Sequence, residues 1–378
     1  MCRLHYSTTL LLFYVTTFFV RIKTLSIIAL LACLLVFVPA TGQELVWDVD
    51  FSAVFANREG GDEMRPDQTF LFTRLQPEVG VQFVDGKDNT HRLMGGVAWY
   101  QPLNDGLEGY KVRPTLYYRG TTRSGWSFTL GAFPRHLMRH AMPRYLWSDS
   151  LNYCTPHVRG TMVQYDHDGR WLQTLVDWRQ MQSRTRREAF TAMLSGGLDL
   201  GRSPLYAYAH VQYNHLAKRK DAPDGEQVND DVTLNPMLGC RYVLGNVTGH
   251  VEAGAVIQFQ RCRAEDRWRT PAGFVANATA RWRWLDVEES VFAGKDLFPL
   301  YDRFGSELNL GDPYYCSKFY SRTDVRGHLF NNDLVDVSAL LTFHATDRIT
   351  GFWQQLSCRF FIGGTGKTVR RSANRLAP

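Results

Sequence analysis

From residue 45 onward, apolar and polar side chains alternate over stretches too long for an ordinary soluble strand. Leu45, Trp47, Val49, Phe51, Ala53 and Phe55 fall on one parity, and Asp48, Asp50 and Ser52 on the other. Leu205, Ala207, Ala209, Val211 and Tyr213 repeat the pattern against Tyr206, Tyr208, His210, Gln212 and Asn214. Phe274, Ala276, Ala278, Ala280, Trp282 and Trp284 oppose Asn277, Thr279, Arg281 and Arg283, and Val335, Val337, Ala339, Leu341 and Phe343 follow suit. Successive strand side chains point to opposite faces, so each stretch is a strand with one apolar face. Soluble strands average about 5–6 residues, whereas a strand tilted across a membrane needs about 9–11. In lipid every backbone group must be paired internally, so strands of this length cross a membrane only in a closed sheet.

Sixteen such stretches can be marked, at 45–56, 69–84, 91–101, 111–119, 125–133, 158–165, 171–179, 188–200, 205–214, 232–243, 247–260, 273–284, 287–294, 315–326, 334–344 and 349–362. The 287–294 stretch is weakly patterned, so fourteen to eighteen strands is the expected range. Connections alternate between short (Asp85–Asn89, Asp166–Arg170, Gly201–Pro204, Gly245–Asn246) and long (57–68, 133–157, 215–231, 261–272, 295–314). Barrels of the bacterial outer membrane have short periplasmic turns and longer external loops. The expected fold is therefore an all-β, closed antiparallel transmembrane barrel, with Trp47, Phe51, Trp282 and Phe343 pointing outward. One connection, Ala345 to Arg348, is short where the rhythm asks for a long one.

The N-terminus reads as an export signal. Arg21 and Lys23 precede an apolar run, Leu25 to Val38, followed by small residues at Ala40 and Gly42. Met1–Phe19 is superfluous to that design, and a start near Val20 would leave a signal of ordinary length. Leu30-Leu31-Ala32-Cys33 resembles a lipidation site, but the apolar run continues past Cys33, so cleavage between Thr41 and Glu44 is the expected outcome. The chain then divides into a leader at 1–42, a barrel at 43–362 and a basic tail at 363–378.

Charge adds little. Of 43 Lys and Arg, three precede residue 44 and four follow residue 362, while all 37 acids lie between, so the formal +6 belongs to the two ends. Nothing global points to nucleic acid. Cys154, Cys240, Cys262, Cys316 and Cys358 show neither CxxC nor metal-site spacing and read as scattered thiols.

On this pattern the body resembles a Gram-negative outer-membrane β-barrel protein of porin-like size and unknown function. The resemblance covers about residues 44–362. It implies a final strand ending on an aromatic, a place that Phe360 or Phe361 fills. Two segments look like family signatures: Gly131-Ala132-Phe133-Pro134-Arg135 through Ser148-Asp149-Ser150, and Val176-Asp177-Trp178 through Arg186-Arg187-Glu188-Ala189-Phe190.

Catalytic motifs fail on inspection. Gly363-Gly364-Thr365-Gly366-Lys367-Thr368 imitates a phosphate loop, but Phe361 stands where its first Gly belongs. His136 and His140 have the spacing of a zinc helix without the acid, since position 137 is Leu. His210, His250 and Ser357 face inward, yet no Gly-x-Ser-x-Gly elbow accompanies them. No enzyme activity, cofactor or metal is expected.

The inward inventory is strongly charged: Lys111, Arg113 and Arg119; Gln173, Asp177 and Arg179; Glu252; Arg281 and Arg283; Lys318, Arg322, Asp324 and Arg326. Charges facing lipid near its midplane cost about 2–4 kcal/mol for Arg or Lys, so these must line an interior. The long 133–157 connection adds Arg135, His136, Arg139, His140, Arg144, Tyr145 and Trp147, and in trimeric porins the loop in that place folds into the lumen. The leading expectation is a weakly anion-selective pore for small solutes, anions or sugars, embedded in outer-membrane lipid. The alternative is a non-conducting barrel that serves as a binding or scaffold partner in the envelope. Homo-oligomerisation is left open.

Overall fold

A computed structural model describes residues 43–61, 65–103, 109–265, 267–365 and 369–371. The expected leader at 1–42, with Cys33, lies outside the described residues, as do Gly366, Lys367 and Thr368 of the phosphate-loop mimic. Eighteen strands form one sheet. They are β1 (Gln43–Glu59), β2 (Gln68–Val84), β3 (Thr90–Pro102), β4 (Lys111–Thr121), β5 (Trp126–Pro134), β6 (His157–His167), β7 (Arg170–Gln180), β8 (Ala189–Asp199) and β9 (Leu205–Leu216). Then follow β10 (Asn229–Leu244), β11 (Val247–Cys262), β12 (Arg267–Arg269), β13 (Ala272–Trp282), β14 (Leu285–Gly294), β15 (Phe319–Asn331), β16 (Val335–Thr346), β17 (Thr350–Thr365) and β18 (Val369–Arg371). Because β12 and β18 have only three residues each, sixteen strands make the wall.

Each wall strand pairs antiparallel with its sequence neighbour, and β17 returns to β1 from Val46↔Thr365 to Glu59↔Phe352, closing the barrel. Among the described residues no helix is long and apolar enough to cross a membrane. The expected all-β barrel is therefore the fold, with the strand number inside the expected range. The weakly patterned 287–294 stretch is a full strand, β14. The last strand runs on to Thr365, three residues beyond the expected boundary, and Val369–Arg371 folds back against Ile362–Gly364. The sequence pattern ended there because glycines carry no hydropathy signal.

Facing follows the pleat. In β1, Val54 and Ala56 are buried inward, with Asp50 and Ser52, while Phe55 is exposed outward. Trp282 and Phe343 are exposed on the outer face, as expected. The short turns are locally encoded. Asp85 accepts from the backbone N–H of Lys87 and Asn89 at 2.8 and 2.9 Å, and Gly245 takes the positive φ its two-residue turn requires. Arg283 does not face the lumen as expected. It sits in the β13–β14 turn at φ 52, its guanidinium over the Trp282 ring, because the strand ends at Trp282, two residues earlier than the alternation suggests. By the rule that short turns are periplasmic, the long connections mark the external end.

Candidate functional site: an insert across the lumen

The connection from β5 to β6 turns into the barrel. Its departure depends on Gly131, at φ 125, where an added Cβ would lie 2.2 Å from the Leu116 carbonyl oxygen. Phe133 and Arg135 that follow are fully inside. Arg135 forms the first anchor. Its Nη2 donates to the Asp177 carboxylate at 3.0 Å, its Nε donates to the Thr155 carbonyl at 2.7 Å, and its guanidinium lies 4.2 Å above the Trp147 ring. The signature residues of both segments thus meet in one buried ion pair.

From there the chain descends. Arg139 donates to the carbonyl of Gly125, in the turn at the opposite end of β5, at 3.3 Å. His140 stacks on Trp171 with ring centres 3.8 Å apart and stands 3.6 Å from Asp166. Burial holds the His140 imidazole below its ordinary value, outweighing Asp166, so it is neutral at neutral pH. The chain then climbs, with Tyr145 donating to Asn235 of β10 at 2.7 Å and Gln212 of β9 donating to the Leu146 carbonyl at 3.3 Å. Arg144 reaches the far wall, donating to Glu288 at 2.6 Å and Asp324 at 2.9 Å. Helix α1 (Asp149–Cys154) ends the insert. Its Asp149 accepts from Arg322 at 2.8 Å. Burial alone would raise the Asp149 carboxyl, but the guanidinia of Arg322 and Arg144 hold it well below the usual range. His136 lies 4.0 Å from Asp50 of β1. One loop therefore touches wall strands around the circumference.

A second insert joins it. The 295–314 connection, expected to be external, places Leu297, Phe298, Leu300, Leu308, Leu310 and Tyr314 in the core, and Tyr315, expected to open the next strand, is buried with them because β15 starts only at Phe319. Helix α2 (Tyr301–Leu308) belongs to it. Backbone bonds tie the two inserts together, Asp312 N–H to the Arg144 carbonyl and Ser148 N–H to the Leu310 carbonyl, both at 2.8 Å. Tyr314 stacks on His344 with ring centres 4.2 Å apart and planes within 2°. Sequence reasoning missed this half. The available signal was the density of Leu, Phe and Tyr in a segment taken to be solvated.

Of the expected site residues, Arg135, His136, Arg139, His140, Arg144, Tyr145 and Trp147 are gathered in the lumen. Arg113 and Arg119 line the wall as expected. Lys111 stands exposed at the external rim, and Arg281 pairs with Asp286 at 3.0 Å near the periplasmic end. The basic constriction expected of this loop is corrected in one respect: Arg135 and Arg144 are matched by acids and present no uncompensated positive ring. His210 does meet a hydroxyl, its Nδ1 lying 2.7 Å from the Ser195 Oγ, but the pair is buried beneath the insert. On the side opposite, Glu288 points inward and is still 39% exposed, so solvent enters part of the bore.

Sixteen tilted strands, an apolar outer band and a charged interior define an outer-membrane β-barrel of porin-like build. The family model described as lipid A 3'-O-deacylase-type matches residues 37–321, and the chain belongs to that family. No curated protein matches the chain. Among solved structures, OccK2 (OpdF) of Pseudomonas aeruginosa is similar at 11% identity and a TM-score of 0.53, over 85% of this chain and 99% of that one. The anion-selective porin of Comamonas acidovorans is similar at 10% identity and a TM-score of 0.52, over 84% and 99%. OpdK of Pseudomonas aeruginosa, at 10% identity and a TM-score of 0.51, covers 85% and 99%. Likeness at such identity establishes the fold.

Proposed function

We propose that this barrel is a solute channel held shut by its own inserts. The observation that carries this reading is the insert itself: it spans the bore from the Asp50 wall, where His136 stands 4.0 Å away, to the Glu288 wall, which it reaches through the Arg144 ion pair. A sixteen-strand bore is otherwise wide enough for an aqueous passage, and the exposed Glu288 keeps part of it wet. Planar-bilayer recording tests the reading. The wild type should show no steady porin-sized current. Replacing Arg144 by Ser and Arg322 by Met should release the insert and produce discrete openings. Steady wild-type current would overturn the closed state. Silence in every variant would favour the non-conducting scaffold.

A second reading is the activity in the family's description, removal of an acyl chain at the 3' position of lipid A, which the match over residues 37–321 favours. Incubation of the purified barrel with lipid A, read by mass spectrometry, decides it. Loss of one acyl mass supports it, and unchanged lipid with folded protein rejects it.

A further inference from the structure

Between the first insert and the wall lies a small polar cavity. The register sets two inward rows side by side: Arg58, Trp353 and Thr342 in one, and the small Ala56, Gln355, Leu340 and Arg326 in the other. The insert faces these rows with Arg144 and with Asp149 and Tyr153 of α1. The cavity left between them has a volume of about 20 Å³. A particle of water size needs about 10–15 Å³, so the space takes one small occupant and excludes a carboxylic acid or a sulfate.

Its lining is cationic. Arg58, Arg144, Arg322 and Arg326 line it against one carboxylate, Asp149. Arg322 is answered by Asp149 and Asp324, and Arg144 by Glu288 and Asp324. Among the described residues Arg58 and Arg326 form no ion pair. The Arg58 guanidinium lies 4.2 Å over the Trp353 ring, and Arg326 donates to the Ser338 hydroxyl at 3.4 Å. Three lining side chains also carry a buried donor that no described residue accepts: Arg58 Nε, Arg144 Nε and Gln355 Nε2. Arg144 Nε stands 3.5 Å from Asp149 Oδ1 without making a hydrogen bond. Gln355 Oε1 already accepts from the Tyr153 hydroxyl at 3.3 Å, so its amide N–H groups are its free end.

We infer that this cavity binds one halide ion, which ties the insert to the wall. A buried donor left without an acceptor is costly, and all three unmet groups here are donors. A water molecule accepts two hydrogen bonds and brings two protons of its own, for which Asp149 is the one lining carboxylate. A spherical anion accepts from all three donors at once and offsets the two unpaired guanidinia. Its ligands come from Arg58 of β1, Arg144 of the insert and Gln355 of β17, so the ion holds the loop against two neighbouring strands. The inference is independent of both readings above, because the ion braces the insert whether or not the lumen opens or an acyl chain is cleaved.

The test uses the full chain in detergent, with sodium gluconate exchanged for sodium chloride or bromide at constant ionic strength. Gluconate is too large for the cavity, and general screening is matched. In excess halide the unfolding midpoint should rise by about 2–4 °C and then saturate, as a ligand held only by the folded state requires. Gln355→Glu puts a carboxylate in the ion's place, keeps an acceptor for Tyr153, and should remove the halide response. Arg58→Met keeps a stem on Trp353, removes a charge that has no acid partner, and should do the same. Resistance to SDS verifies the fold of each variant. Anomalous scattering from crystals grown in bromide should place the ion among Arg58, Arg144 and Gln355. Equal midpoints in gluconate and halide would assign the cavity to water and overturn the inference. A halide response that survives both substitutions, or bromide bound only elsewhere, overturns it as well.

Discussion

Glu288 and Glu289 are adjacent in β14, and the pleat sends them to opposite worlds. Glu288 enters the lumen and meets the Arg144 guanidinium at 2.6 Å. Glu289 enters the lipid-facing side and meets two hydroxyls. Their partners on β15 split the same way, Arg322 and Asp324 inside, Ser321 and Thr323 outside. Inside, opposite charges offset one another's desolvation. Outside, the Glu289 carboxylate is satisfied by two short neutral donors that do not disturb the apolar band. The inner cluster thus holds a loop across the bore, and the outer one satisfies a lone carboxylate with two hydroxyls.

The comparison breaks most readily at Arg322. Removing it leaves Asp149 and Asp324 buried beside Arg144 alone, and losing one member of a buried pair costs about 3–5 kcal/mol. Arg322→Met should lower the unfolding midpoint in detergent accordingly, and adding Asp149→Asn and Asp324→Asn should restore most of it. A single variant as stable as wild type would mean the cluster is solvated and holds nothing. Arg135→Ala, at the other anchor, should cost about 3 kcal/mol by the same reasoning. Asp177 keeps one bond, from the Arg159 N–H at 3.0 Å, which limits the loss.

Acid should act on the inner cluster selectively. The Asp149 carboxyl is depressed in the fold, so its contribution is fully present above the ordinary value of 3.8 and declines as pH falls from there toward the folded value. Stability measured from pH 6 down should fall in wild type, and Asp149→Asn should show a flatter profile. An identical slope in both would place the acid-sensitive group elsewhere. Smallest is the outer cluster. Glu289→Ala should change stability by within about 1 kcal/mol, because lipid welcomes the lost charge and the two hydroxyls can bond to neighbouring backbone oxygen. A loss as large as that of Arg322→Met would make Glu289 a structural residue.

The facing of the clearly alternating strands was legible because facing is local: a side chain's parity along a pleated strand decides it, and Asp177, Asp324 and Arg322 could be placed inward from their neighbours alone. The lumen entry of 133–157 was legible only by its place after the fifth strand. That 295–314 follows it was not, since its apolar residues have no period to betray them.

The amino-acid order by itself determined the wall strands, the faces of the alternating ones and the even strand count, all properties of a few adjacent residues and the membrane's demand for paired backbone. Tertiary structure alone decided that Arg322 would find Asp149 across 173 positions, that Arg135 would be neutralised by Asp177, and that Ser321, Thr323 and Glu289 would share one outward spot. Those pairings depend on register and on loop paths, and Coulomb and hydrogen-bond energies act through space between residues whose separation along the chain carries no information about them.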